Sequence, residues 1–470
     1  MSTPLIWIAL PLIFALFLAL IQKKQVLSCI LGTLFAFSLA LLAAFFPDNL
    51  IVELGPLSFE VNTNLNILGR VLLINPGNLP FISLMYFFAG LWIIGSGWFK
   101  LSNWFQAISF SIVAILIAAL AVEPFLYAAL LIELAVLLSI PLLSPYREKV
   151  STGVLRFLIF QTLALPLILL SGWMLSGIET APSGSSLINQ ATILLILGFT
   201  FWLAVFPFHT WVPMISQTSH PWIVSFILLI LPNTILMFAL TFIDRYTWLR
   251  AIPELYNTLR LIGTLMIVIG GVLVAFQRHL GRALGFAAII ETGFSLLAVG
   301  LSPQGGMNWF CMLILPRALA YWLWAFSLSQ LKKQVDDLSL DSVSSAMHAF
   351  PFLCGGIILG QLSIAGLPLL ASFPIKRMIW FSAADPDLLN ALWIFIGSMG
   401  LFIFSLRTLI HFSAPPSEGK PFWKINESIS VIVPIAVAVI AIFILGLLPQ
   451  LLFPRLLSIL NAFEHFPYLQ

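Results

Sequence analysis

Charge is what this sequence has least of: Asp, Glu, Lys and Arg make up 8% of its 470 residues, against roughly a quarter in an ordinary soluble domain. That scarcity excludes a solvated globular fold. Cysteine is almost as rare. Cys29, Cys311 and Cys354 lie in or beside apolar stretches with no CxxC pair and no ligand spacing, which excludes a disulfide framework and a zinc site and leaves them as packing residues. HExxH, GxGxxG and P-loop patterns are missing, and no two helical histidines are spaced to hold haem, so redox or nucleotide chemistry within this chain is not expected. No alternating ten-residue segments of the barrel type occur, and the expected fold is therefore all-α. The first apolar stretch lacks a basic leader and a small-residue cleavage site, and reads as a retained helix rather than a signal peptide.

What remains is hydrophobic: 61% of residues, with mean hydropathy +1.08. Runs long enough to cross a ~30 Å hydrocarbon core fall at about 5–22, 26–46, 79–98, 103–122, 124–143, 152–175, 187–206, 222–243, 258–277, 283–301, 307–328, 350–372, 388–410 and 429–453. The expectation is a polytopic membrane protein with fourteen helices. Loops after odd-numbered runs carry Lys23, Lys24, Lys100, Arg147, Lys149, Arg278, Arg282, Lys332, Lys333, Lys420 and Lys424; those after even-numbered runs carry mainly Arg70, Arg245, Arg250 and Arg260. The positive-inside rule then places both termini outside. The largest polar loops, 47–78 and 329–349, are too short to fold alone, and 411–428 reads as a solvated connection. Chemistry done by this chain must happen inside the membrane or in a partner.

A weak internal repeat sets runs four to eight beside runs nine to thirteen. In each set the fourth member carries a proline-broken stretch, "AVFPFHTWVP" in run seven and "AGLPLLASFP" in run twelve. Five helices is an odd number, so the second copy enters the membrane inverted. Inverted repeats with interrupted helices in matching places point to a transporter-like fold whose freed backbone groups line a polar interior. Taken singly, either stretch is equally well a proline kink at a helix end.

An ionisable residue at mid-depth costs roughly 2.5–3.5 kcal/mol on insertion scales, so the few within the runs carry information. Glu133 in "YAALLIELAVLLSIP" is the strongest functional candidate, with a structural carboxylate as the alternative. Arg156 either sits close enough to keep Glu133 ionised or snorkels to the surface. Glu291 and Arg317 lie in adjacent runs and are expected to pair across them. Lys376, just after the second break, is either a buried lysine able to carry a proton or, with Arg377, a surface anchor; Arg407 lies towards an end of its run. His209 and His279 are the histidines best placed to titrate, although a hydrogen-bonded structural role is the commoner one.

These residues resemble the antiporter-like subunits of respiratory complex I, which are related to Mrp-type cation/proton antiporter subunits and to the membrane arms of energy-converting hydrogenases. "FWLAVFPFHTWVP" is similar to the family's FPFHxWxP signature, "SFILLILPN" to its FLxxxPK, "HLGRALGFAAIIETGF" to NLKRLLAYSSISHMGF, "AGLPLLASFPIKRM" to GIPPLAGFFGKF, and "LLIELAVLLSIP" to the stretch around its central glutamate. The resemblance spans nearly the whole chain. It implies helices one to three over 1–102, a first five-helix half-channel over 103–243, an inverted second one over 258–410, and a C-terminal loop and helix over 411–470. It also implies a membrane-arm subunit, N- or M-like, of a redox-driven proton pump in a bacterial inner membrane. Quinone, flavin and iron–sulfur centres then belong to partner subunits, with no cofactor and no catalysis in this chain alone. The partners implied are other membrane-arm subunits and the lipid bilayer, not nucleic acid.

Carried onto this sequence, the resemblance puts Glu133 on the family's helix-five glutamate and Lys376 on its helix-twelve lysine or glutamate. Glu291 takes the place of the helix-ten His or Gln, Arg317 that of the helix-eleven His, and Tyr321 that of the helix-eleven Lys. The candidate proton pathway is Glu133, Arg156, His209, Glu291, Arg317 and Lys376. Two departures interrupt the first half: Trp202 and Asn233 stand where the family has lysines, and neither carries a proton in that way. The alternatives are an Mrp-type or hydrogenase-type subunit, or a non-conducting scaffold.

Overall fold

In a hydrocarbon medium each backbone N–H and C=O must find a partner within the protein, so a long apolar run has little choice but to be helical. The computed structural model describes every residue except 1, 48–50, 55–56, 68, 145–149, 177–185, 336, 386, 416–424, 452 and 467–470. Arg147, Lys149, Lys420 and Lys424 of the charge pattern lie outside the described residues. Among those described, ten helices are long and apolar enough to cross a membrane, from Gln25–Ala44 to Ile429–Leu447, and four apolar helices are shorter: Leu5–Leu20, Phe105–Ala121, Leu187–Trp202 and Pro351–Ala365. The chain is a mostly helical, multi-pass integral membrane protein.

Helix ends follow local chemistry. Proline opens Pro253–Ala275 and Pro351–Ala365, where its missing N–H has no helical partner to lose. Asp387 caps Leu388–Ser413 by accepting from Leu389 N at 3.0 Å. Gly366, with φ of +82°, closes Pro351–Ala365 in the left-handed conformation that glycine adopts without strain.

One expectation is corrected. The fold is not purely α, because five short strands occur among the described residues. The antiparallel pairs are β1 (Ile51–Leu54) with β2 (Leu57–Glu60) and β3 (Asn64–Ile67) with β4 (Arg70–Leu73), and β4 also pairs with β5 (Val122–Glu123). The stretch 47–78, read as loop, thus holds four of these strands. Each has only two to four residues, too few for an alternation to register in a ten-residue template. In the two runs expected to be broken, 187–206 and 350–372, the helices end at Trp202 and Ala365. Hydropathy ran on because the residues beyond them are apolar even where the backbone is irregular.

The chain divides into two compact units. One comprises Met1–His209, Ile230–Arg250 and Ser458–Pro467; the other comprises Thr210–Leu229 and Ala251–Leu457. In the second unit Leu280–Gly300 is buried at every residue but Arg282, and Gly306–Leu331 nearly so. Ile429–Leu447 instead presents an outward apolar stripe that includes Val433, Val437 and Ile440. Such a stripe suits lipid contact. Helices Pro253–Ala275 and Leu388–Ser413 meet backbone to backbone: a Cβ on Gly271 would lie 2.0 Å from the Gly397 carbonyl oxygen, and one on Gly400 2.0 Å from the Gly271 carbonyl oxygen. Arg407 closes one end of the seam by donating to the Ala275 carbonyl.

Gly271→Ala is therefore expected to destabilise the protein by roughly 1–3 kcal/mol through overpacking. Gly355→Ala, whose added carbon meets nothing within 4 Å, is expected to be neutral or slightly stabilising. Thermal unfolding in detergent compares them; equal midpoints for the two variants would refute the interlock.

Candidate functional site

The second break supplies the chemistry. In a continuous helix the carbonyl of Ile364 would accept from the N–H of residue 368, but that residue is proline and has none. The backbone turns through Gly366 and Leu369, both at positive φ, and helix resumes at Phe373–Ala384. Lys376, in the first turn of the new helix, reaches back and donates to the Ile364 carbonyl. The side chain thereby covers the group that Pro368 left bare.

An ammonium buried to 6% exposure needs a countercharge, and Glu291 on Leu280–Gly300 supplies it: Lys376 Nζ lies 2.5 Å from Glu291 Oε1. The other carboxylate oxygen, Oε2, accepts from Arg317 Nε at 2.8 Å. Arg317 Nη2 also donates to the Glu291 carbonyl at 2.9 Å and to Ser295 Oγ at 2.5 Å. Lys376 Nζ further sits 4.1 Å above the centre of the Phe294 ring, a cation–π contact. Glu291 is 1% exposed and Arg317 3% exposed. The expected Glu291–Arg317 pair is present, and Lys376 joins it as a third member rather than acting as a surface anchor.

Chemically, this is one carboxylate shared by two cations, a guanidinium and an ammonium. Proton exchange is left to Lys376 and Glu291, whose nitrogen and oxygen are in hydrogen-bond contact. The elements that carry or flank the cluster also hold buried polar atoms that make no hydrogen bond within the structure: Tyr321 Oη, one helical turn beyond Arg317, both amide atoms of Gln361, and the hydroxyls of Ser363 and Ser372. Sequence reasoning missed Ser295 and Phe294. Their signal was position: Ser295 follows Glu291 by four residues and so shares its helical face.

The first break solves the same problem without charge. Helix Ser186–Trp202 stops, Ala204 takes φ of 53°, and helix resumes at Trp211–Thr218. Gln161 Nε2 donates to the Trp202 carbonyl at 3.2 Å, and Trp202 Nε1 returns a bond to the Gln161 carbonyl at 3.2 Å. Trp202 is 1% exposed, and Asn233 is also buried. His209 lies buried in the break, stacked on Phe206 with ring centres 5.2 Å apart, and its Nδ1 makes no hydrogen bond.

Glu133 is buried on Ala128–Leu143 and accepts from Thr162 Oγ1 at 2.6 Å, while its Oε2 is unbonded. No ion pair among the described residues includes it. Arg156 is not its partner but is exposed on Thr152–Ser176. It precedes Thr162 by six residues, about 9 Å of helix and a different face.

His279 proves structural. Its Nδ1 accepts from Gly281 N at 3.1 Å and Arg282 N at 3.3 Å, capping Leu280–Gly300. Its Nε2 lies 3.3 Å from Asp337 Oδ1. Two backbone bonds, Leu280 N to Leu338 O and Leu340 N to Arg278 O, tie the following linker to the same helix start. Burial holds His279 below the ordinary imidazole value against the pull of Asp337, with Arg282 and Lys332 adding to the depression. His220 is lowered to about 3 by burial and by Lys332 and Lys333.

Residues 82–403 match the family model described as NADH:quinone oxidoreductase/Mrp antiporter, TM. The chain is 25% identical over 283 residues to NADH-quinone oxidoreductase subunit N of Deinococcus radiodurans, covering 57% of this chain and 55% of that protein. It thus spans about half the length of that relative. Its fold is that of a chain in the membrane-bound sulfane sulfur reductase, an archaeal respiratory membrane complex (TM-score 0.80, 16% identity, covering 99% and 98% of the two chains). Respiratory complex I from Thermus thermophilus with bound aureothin gives 0.72 at 21% identity over 98% and 100%, and the Mrp complex from Dietzia sp. 0.79 at 13% over 98% and 96%.

Two outcomes follow from this geometry. Glu291→Gln leaves two buried cations without their shared carboxylate and is expected to cost about 3–5 kcal/mol, whereas replacing all three members by apolar residues recovers most of it. Unfolding of the single and triple variants in detergent decides; a harmless single variant would rule out the shared ion pair. Because His220 and His279 bind fewer protons folded than unfolded below about pH 6.5, stability is full above that pH and is expected to fall by about 2 kcal/mol towards pH 5. His220→Gln should flatten that slope, and an unchanged slope in the variant would exclude His220 as its source.

Proposed function

Because the chain belongs to the NADH:quinone oxidoreductase/Mrp antiporter transmembrane family, we propose that it is a membrane-arm subunit of a redox-driven, proton-pumping NADH:quinone oxidoreductase-like complex. It takes part in proton translocation through intramembrane charged residues. The observation that carries this reading is the buried Arg317–Glu291–Lys376 cluster at a helix break. A neutral amide meets the same backbone need at Trp202, so the charged form found at Ile364, costly to desolvate, is what the reading rests on.

The proposed architecture has fourteen transmembrane helices, with 1–102 as helices one to three, 103–243 and 258–410 as inverted half-channels, and 411–470 as loop and last helix. The ten long helices together with the four shorter apolar ones support that count. The matching breaks, each with a freed carbonyl covered by a side chain, support the repeat. Both termini lie outside, in a bacterial inner membrane. The first half-channel is degenerate: Glu133 has Thr162 as partner where a lysine would be needed, and Trp202 is closed on Gln161. Conduction is therefore routed through Glu291 and Lys376. Arg156 and His209 lie off that route. Quinone, flavin and iron–sulfur centres sit in the partner subunits that surround this one.

Purification from the native membrane in mild detergent, followed by mass spectrometry, tests the assembly. Quinone-reductase arm subunits are the expected companions; small cation/proton antiporter subunits alone would move the function to redox-independent exchange. Within the complex, Lys376→Gln is expected to cut proton uptake per turnover severalfold without loss of assembly, and normal uptake would leave a scaffold. Trp202→Lys returns an ammonium to the first half and is expected to raise uptake. An unchanged value there would count against an interrupted first half-channel.

A further inference from the structure

Helices Phe105–Ala121 and Ala128–Leu143 form an antiparallel hairpin, so the start of the first and the end of the second lie at one bilayer surface. Between them opens a cleft of about 610 Å³ lined by Ser102, Trp104, Ile108, Ile140, Pro141 and Ser144, within the ~300–1,000 Å³ range of ligand pockets. Its chemistry is graded. Ser102, whose Oγ accepts from Trp104 N at 3.4 Å, and the half-exposed Trp104 precede the first helix and Ser144 follows the second, while Ile108, Ile140 and Pro141 lie within the helices, towards the membrane interior. Trp at such a position marks the headgroup level of a bilayer.

Among the described residues, three lysines stand at the same end of this unit. Lys100 precedes Ser102 by two residues, at most about 7 Å of chain, and is exposed. Gln25 Nε2 donates to the Phe99 carbonyl at 3.4 Å, which brings Lys23 and Lys24, both exposed, to the same surface. Among the described residues, Glu123 lies at the far end of these helices, paired with Arg245.

We propose that this cleft is a binding site for one anionic phospholipid. Lys100 and the two serine hydroxyls receive the phosphate, Trp104 sits at the glycerol level, and an acyl chain runs along Ile108, Ile140 and Pro141. Basic pockets between transmembrane helices are known to take anionic headgroups in this way. The graded lining fits a lipid better than a protein helix, which would leave the hydroxyls and ammonium groups at the rim without a phosphate to meet. The site belongs to the first unit alone and does not depend on the proton-transfer reading.

The test is photo-crosslinking of the purified complex with phosphatidylglycerol carrying a diazirine on its acyl chain, against the matching phosphatidylcholine. Labelled peptides are mapped by mass spectrometry. The peptide containing Ile140 is expected to favour phosphatidylglycerol, while a peptide from the uncharged outer stripe around Val437 shows no preference. Lys100→Ala is expected to lower the preference about five-fold, and Ile140→Trp, which fills the apolar part, to abolish labelling there. Should Ile140→Trp not assemble, Lys100→Ala alone still decides. Equal labelling by both lipids, or an unchanged preference in Lys100→Ala, overturns the proposal. So does an absence of label from either lipid, which would mean that a neighbouring chain covers the cleft.

Discussion

The structure depends on two carbonyl groups. Where helices Ser186–Trp202 and Pro351–Ala365 stop among apolar residues, the oxygens of Trp202 and Ile364 lose their helical donors, and each is met by a side chain. At the first break the donor is a neutral amide, which asks nothing further of its surroundings. At the second it is an ammonium, and a sequence of requirements follows: Lys376 needs Glu291, and Glu291 in turn needs its remaining oxygen and local backbone satisfied. Arg317 does both with the help of Ser295. One proline at position 368 is thus linked to a charged cluster spread over three helices. The two units meet the same backbone constraint, and only one acquires titratable chemistry in doing so.

Much of this was legible in the sequence, for physical reasons. Apolar runs identify spans because a membrane admits few alternatives to helix, and proline-broken stretches identify breaks because the missing N–H is a property of the residue itself. Glu291 and Arg317 were readable as a pair because isolated charges in adjacent apolar helices are too costly to leave apart. The third member was less legible, since whether Lys376 turns inward depends on the direction the chain takes after Gly366 and Leu369, which hydropathy does not encode. Gln161, Thr162 and Ser295 were invisible for a different reason: small polar residues are common in such helices, and only the facing element decides what they bond.

The histidines show the same boundary. His279 carries titratable chemistry by residue type, but its Nδ1 is occupied by two backbone N–H groups and its Nε2 faces Asp337. Its contribution is to hold a helix start and a linker together. The short strands escaped for want of length, since a four-residue alternation within a polar stretch cannot be told from chance.

The glycine seam between Pro253–Ala275 and Leu388–Ser413 has a mechanical meaning. With carbonyl oxygens seated in the spaces left by absent side chains at Gly271, Gly397 and Gly400, a slide by one helical residue, about 1.5 Å, would drive backbone into backbone. The seam therefore acts as a keyed joint that resists shear, and the two helices move as a single strut. Strain in this unit is then taken up where the backbone has no such key, in the irregular segment 366–372 that leads to Lys376.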